Sequence, residues 1–182
     1  MKLLPFEWYR VIINPIKPKS DISLKLDRKQ IEFADYPHST YVIRLSRTFI
    51  IDYGSEKYSP VLYVGKGQLR NRLNKHRTWL TKLQGKLPSA PIEVLFCFPK
   101  TELGKPAHVA LEALLLQRFK SRYKDFPLRN IIHGTKDESI DFSEEKTAQI
   151  LGHGTGKKYT WIVREWTKRK SKWRNAAGRN DA

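Results

Sequence analysis

Apolar and polar residues change period several times along this chain. "TYVIRLSRTFII", residues 40–51, alternates and is rich in β-branched and aromatic residues, which predicts a strand. "DYGSEKYSP" is polar and holds Gly and Pro, so it reads as a turn or hairpin loop. "VLYVG" predicts a second strand. "QLRNRLNKHRTWLTKL" has a helical period and runs into the breaker "QGKLPSAP". "IEVLFCF" predicts a third strand, and "AHVALEALLLQRFKSRY" a helix built from strong helix formers. The order β-β-α-β-α over residues 39–134 predicts a small α+β layer, with helices packed on a short sheet.

The flanks read differently. In residues 1–38, "INPIKPKSD" is rich in Pro and Lys and reads as a loop. "DISLKLDRKQIEF" alternates through Ile22, Leu24 and Leu26, which suggests a short strand or extended arm. We assign this N-terminal arm no role. Residues 135–182 open on "KDESIDFSEE", with five acids, and the stretch from Lys157 to Arg179 holds nine basic residues against one acid. "SEEKTAQIL" predicts a short helix with Ser143 as N-cap. Tyr159, Ile162, Val163 and Trp166 fall at i, i+3, i+4 and i+7, an amphipathic helical spacing. The pair of helices reads as a helix-turn-helix with "KKYTWIVREWTKRK" as basic reader, or as a helical hairpin whose basic face touches phosphates. Lys157, Lys158, Arg164, Lys168, Arg169 and Lys172 are its candidate nucleic-acid contacts. "GHGTGKKYT" fails the Walker spacing, and a helix precedes it instead of a strand, so it is a Gly-rich turn.

Composition narrows the partner. The 182 residues suffice for one core plus an extension, and 40% hydrophobic with 12% aromatic residues is a globular composition. A formal net charge of +17 favours a polyanion, of which nucleic acid is the commonest. The single cysteine, Cys97, excludes a disulfide framework within one chain and fits a reducing compartment. "MKLLPFEWYR" has no long apolar stretch of the signal-peptide kind, and no apolar run is long enough to span a membrane. The expectation is a cytoplasmic protein, bacterial or phage-encoded, that does not engage membranes.

Three side chains do not fit a purely structural pattern. On the first helix, Leu69, Leu73, Leu80 and Leu83 form the inward stripe, and Arg72 and His76 fall on or beside it. On the second, Glu112 shares its face with Val109, Leu115, Leu116 and Phe119. An inward ion costs several kcal/mol, in the range of about 3–5, unless it meets an opposite charge. One reading is an Arg72–Glu112 structural salt bridge. The other is a polar site opening beside the turn Gly65-Lys66-Gly67, where glycine admits a ligand's backbone and Lys66 brings charge to the strand end.

These residues carry a resemblance. "STYVIRL" followed by "LYVGKG" and "LRNRLNKH" resembles the GIY-YIG endonuclease family. Ser39-Thr40-Tyr41 stands where that family has Gly-Ile-Tyr, and Tyr63-Val64-Gly65 where it has Tyr-Ile-Gly, in a Tyr-Val-Gly-Lys form like that of the bacterial excision-repair incision subunit. Arg72 and His76 match the helix Arg and the His or Tyr four residues later, Glu112 the metal-binding glutamate, and Asn130 the late asparagine. The first motif keeps only its Tyr, the stretch from Tyr41 to Tyr63 is longer than the usual hairpin, and the turn after Lys66 is a residue short. The resemblance spans residues 39–134. It implies a small antiparallel three-stranded sheet flanked by helices, with a helical C-terminal extension.

It also implies roles. Tyr63 would be the general base, its phenolate favoured by Lys66 and a metal, with Tyr41 orienting the water or sharing its proton. Arg72 would hold the scissile phosphate, and His76 would relay a proton or bind phosphate. Glu112 would hold one Mg²⁺ (or Mn²⁺), and Asn130 would tie the end of the segment to the active-site layer. The expected activity is metal-dependent hydrolysis of DNA phosphodiesters. A basic extension would supply target choice, as in a site-specific restriction enzyme or a phage or mobile-element endonuclease. One active site cuts one strand at a time, so double-strand cleavage would call for a dimer or two encounters. The alternatives are a non-catalytic nucleic-acid-binding protein of the same fold and an RNA-binding protein.

Overall fold

The computed structural model describes residues 2–28, 37–46, 49–54, 57–88, 90–130, 140–152 and 161–164. Strands β1 (Tyr9–Ile13), β2 (Ser39–Leu45), β5 (Val61–Gly67) and β6 (Ile92–Cys97) form one sheet in the order β1-β6-β2-β5, every pair antiparallel. Strands β3 (Phe49–Asp52), β4 (Tyr58–Ser59) and β7 (Trp161–Arg164) form a second, in the order β4-β3-β7, with β7 parallel to β3. The helices are α1 (Pro18–Arg28), α2 (Leu69–Lys86), α3 (His108–Tyr123) and α4 (Glu144–Leu151).

Period-two alternation on β2 sorts the core into two layers. Tyr41, Ile43 and Leu45 face one side with Ile22 and Leu26 of α1 and Leu69, Leu73 and Leu80 of α2. Val42 faces the other with Leu111, Leu115 and Phe119 of α3 and Ile150 and Leu151 of α4. β2 is therefore buried along its whole length. Each Leu or Ile enclosed this way contributes about 1.5–3 kcal/mol. The molecule is α+β, a sheet with helices on both faces.

The structure corrects several expectations. The main sheet has four strands, because residues 9–13 add β1 beside β6. The apolar stretch 40–51 is two strands in different sheets: Ser46 ends β2, with its N–H donating to the Pro91 carbonyl, and Phe49 restarts as β3. The alternation at Ile22, Leu24 and Leu26 lies in helix α1, where Ile22 and Leu26 are buried one turn apart and Leu24 is 52% exposed. Alternate positions in a strand and i, i+4 positions in a helix coincide there, and only the outer pair is buried. Ile162 and Val163 lie in strand β7, not in an amphipathic helix. Tyr159 and Trp166, which completed that spacing, fall outside the described residues, as do Lys157, Lys158, Lys168, Arg169 and Lys172. Arg164 ends β7. The α4 expectation stands: Ser143 Oγ accepts from the Lys146 N–H at 3.3 Å as its N-cap.

A buried ion cluster ties β1, β2, β6 and α4 together. Glu93 is 1% exposed and accepts from both Arg10 and Arg44. Arg44 also donates to the carbonyls of Gln149 at 3.1 Å, Ile150 at 3.0 Å and Gly152 at 2.8 Å. These are the orphan carbonyls at the C-terminal end of α4, where a cation also meets the negative pole of the helix dipole.

Candidate functional site

The register of β2 against β5 sets the site. Tyr41 pairs with Gly65 and Ile43 with Tyr63, so both tyrosines stand on the face that α2 covers. Their rings lie 5.9 Å apart, and they pack over Gly65. A Cβ on that glycine would sit 2.7 Å from both Cζ and Oη of Tyr41, and closer still to Cε1 of Tyr63. Glycine is therefore the residue that lets two phenols share one strand surface.

Helix α2 brings Arg72 and His76 to the tyrosines, one turn apart. Arg72 Nη2 donates to Tyr63 Oη at 3.5 Å, a long bond, and the guanidinium also contacts the Tyr41 hydroxyl. Its Nε is buried with no hydrogen-bond partner among the described residues. His76 Nε2 lies 3.0 Å from Tyr41 Oη, and its ring meets Tyr63 edge-on at 4.5 Å. Burial, then the Arg72 and Arg129 cations, push the His76 pKa down to about 4. Burial also pushes Tyr41 well above the usual phenol range, with Tyr63 adding to it and Arg72 opposing. Both shifts favour a neutral pair, a phenol and an imidazole that share one hydrogen bond.

Lys66 and Glu112 belong to the opposite face. Thr40 pairs with Lys66, and both turn toward α3. Thr40 Oγ1 donates to the His108 carbonyl at 3.0 Å, and Lys66 Nζ lies 3.0 Å from Glu112 Oε2. Glu112 is 8% exposed. Burial raises its pKa, while Lys66 and then Arg72 pull it down. The partner of Glu112 is thus Lys66, and the cation at the Tyr63 hydroxyl is Arg72 instead of Lys66. The two half-sites meet around the end of β5, where Arg72 acts electrostatically on both tyrosines and on Glu112. Gly67 turns the chain there with φ of +101°, a backbone that favours glycine.

Asn130 stands apart from this cluster. Its Oδ1 accepts from the Val64 N–H at 2.9 Å and its Nδ2 donates to the Val64 carbonyl at 2.7 Å. Arg129 N–H donates to the Leu62 carbonyl at 3.0 Å. Residues 128–130 thereby lie along the outer edge of β5 and fix the strand that carries Tyr63 and Gly65.

Two groups escaped the sequence reading. His108 precedes Glu112 by one helical turn, meets the His38 ring at a tilt with centroids 5.1 Å apart, and has its pKa pushed down to about 4 by burial, then by His38 and Lys66. Nδ1 of each is buried without a partner among the described residues. The i, i+4 spacing of His108 and Glu112 was the available signal. Trp79, one turn beyond His76, meets its ring at 5.7 Å and carries Arg129 over its own face at 5.2 Å.

Chemically, the cluster offers a guanidinium with a donor unused among the described residues, two phenols beside a neutral imidazole, and one carboxylate paired with an ammonium. Among the described residues there is no group of three or more His, Cys, Asp or Glu that could hold a metal. Glu112 alone suits only an ion that takes most of its shell from water and phosphate, as Mg²⁺ does. Among the described residues, no helix is long and apolar enough to cross a membrane. Comparison of the chain with protein-family models, with curated proteins and with solved structures finds no match.

Proposed function

We propose that this protein is a metal-dependent DNA endonuclease that hydrolyses phosphodiester bonds, with β2, β5, β6, α2 and α3 as a GIY-YIG-like catalytic core. One observation carries the reading: Arg72 lies against the hydroxyls of Tyr41 and Tyr63 while its buried Nε has no acceptor among the described residues. A buried donor left unpaired costs about 1–3 kcal/mol, and a phosphate oxygen would satisfy it.

In this reading Arg72 binds the scissile phosphate through its free donor and neutralises the charge that builds on it. Tyr63, as a phenolate held beside the guanidinium, would take the proton of the attacking water and become the phenol. Tyr41 orients that water, its hydroxyl kept protonated by burial and placed 3.0 Å from His76 Nε2. Glu112 is the residue that would hold Mg²⁺, which supplies further charge neutralisation at the phosphate when bound. Lys66 pairs with the Glu112 carboxylate at 3.0 Å and would offer its ammonium to a phosphate oxygen once a metal took that place. Asn130 holds β5 in register beneath the tyrosines. The basic residues of the C-terminal segment would hold DNA and choose the target, as in a restriction-type or mobile-element enzyme.

A second reading has its own observation. The Lys66–Glu112 pair satisfies the carboxylate without any metal, which suits a nucleic-acid-binding protein that does not cut. Supercoiled plasmid separates the two. The nuclease converts it to nicked circles with Mg²⁺ but not with EDTA, and Glu112→Gln stops nicking while leaving binding intact. Tight binding of plasmid or RNA with no nicking under any metal would select the second reading. Undiminished nicking by Glu112→Gln would remove Glu112 from the metal site.

A further inference from the structure

We propose that the cavity next to this site, with Trp79 as its floor and Arg129 over it, seats an unstacked nucleobase of the strand whose phosphate Arg72 holds; the inference rests on the nucleic-acid reading above. The cavity encloses about 520 Å³ and its apolar lining is Leu62, Trp79, Leu83 and Leu128. That volume lies within the ~300–1,000 Å³ usual for small-molecule pockets. Lys82, Lys86 and Arg129 supply its charge, and the lining holds no carboxylate among the described residues. An aromatic face beside unopposed cations suits a base joined to phosphates better than a neutral apolar ligand.

Position supports the same occupant. His76 stands between the two sites, 4.5 Å from the Tyr63 ring and 5.7 Å from the Trp79 ring. Those steps hold Trp79 within about three nucleotides of Tyr63, at ~3.4 Å per stacked nucleotide. Trp79 is half-buried, so one side packs on the core while the other lines the cavity. Arg129 is exposed, but its backbone is held by the bond to Leu62 and by Asn130 on Val64. Its guanidinium can therefore swing from the indole and close over a base without moving β5.

The test uses the full chain in EDTA and two labelled duplexes. One carries a single unpaired 2-aminopurine and the other the same base paired. Wild-type protein should bind the unpaired form more tightly and quench its fluorescence by stacking. Trp79→Ala should weaken that complex roughly 5- to 150-fold, the equivalent of ~1–3 kcal/mol per stacked base, with little change for the paired duplex. Trp79→Phe should keep most of the difference. Arg129→Ala should lose part of it, and decides the matter if Trp79→Ala no longer melts cooperatively. Equal weakening on both duplexes, or binding without quenching, would overturn the base pocket and leave the nuclease reading standing. Failure of the wild-type protein to bind either duplex would overturn both.

Discussion

Gly65 and His76 show how single residues decide whether the cluster exists. At Gly65 the next atom out from the backbone would lie 2.7 Å from Tyr41 and nearer to Tyr63. Gly65→Ala must move both rings, and overpacking of this kind costs about 1–3 kcal/mol. The expected protein is folded, with a lower melting temperature and plasmid nicking reduced at least tenfold. Retained nicking would mean that the tyrosines need not share this surface. His76 makes a different prediction. Its folded pKa of about 4 lies below the usual ~6.5, so between those values the unfolded chain binds more protons. Its contribution to stability is complete above pH 6.5 and is lost as pH falls toward 4. His108 adds a slope of the same sign, and Glu112, with a raised pKa, one of opposite sign. His76→Gln should therefore flatten the fall in melting temperature between pH 7 and 4.5. Parallel curves for the two proteins would refute the buried, neutral His76.

At the scale of elements, β5 is the part on which the site depends, and Asn130 is its clamp. Val64 is fully buried, and both its backbone groups are bonded to the Asn130 side chain. Asn130→Ala leaves them unpaired at a cost of about 1–3 kcal/mol. The urea midpoint should fall, and nicking should fall with it, because Tyr63 and Gly65 flank the released residue. A lower midpoint with unchanged activity would make Asn130 a purely structural tie. Helices α2, α3 and α4 were legible in the sequence, because their helical periods are long or capped. The partner of Glu112 was not legible. Helix phase shows that Arg72 and Glu112 point inward, but which cation meets the carboxylate depends on the β2–β5 register, which turns Lys66 to the α3 face. The second sheet was hidden for a related reason. β3 resumes the apolar composition of β2, and the polar triplet Ser46-Arg47-Thr48 that parts them is short enough to pass for an irregularity within one strand. β7 escapes a reading by periodicity because Ile162 and Val163 satisfy a helical spacing as well as a parallel pairing with Ile50 and Ile51.

At the scale of the whole molecule, the question is where the folded core stops. Truncation after Gly134 removes α4 and β7, although it touches none of the proposed catalytic groups. Ile140, Phe142, Ile150 and Leu151 leave the core under α3, and Arg44 is deprived of the three carbonyls that hold its guanidinium beside Glu93. Phe49 to Asp52 are left without their parallel partner. Removing several buried apolar side chains, at about 1.5–3 kcal/mol each, exceeds what a domain of this size can spare. That protein should aggregate or melt without cooperativity. Truncation after Arg164 is the contrasting case. It leaves the packing among the described residues in place while removing six basic residues against two acids. This protein should melt cooperatively and still nick plasmid, with weaker binding. Its plot of log affinity against log salt should flatten by about 0.9 for each phosphate that the shortened chain no longer neutralises. Anisotropy titrations on one duplex, from about 50 to 200 mM salt, measure that slope directly. An unchanged slope would free residues 165–182 of any part in holding DNA, and a vanished melting transition would make them part of the core.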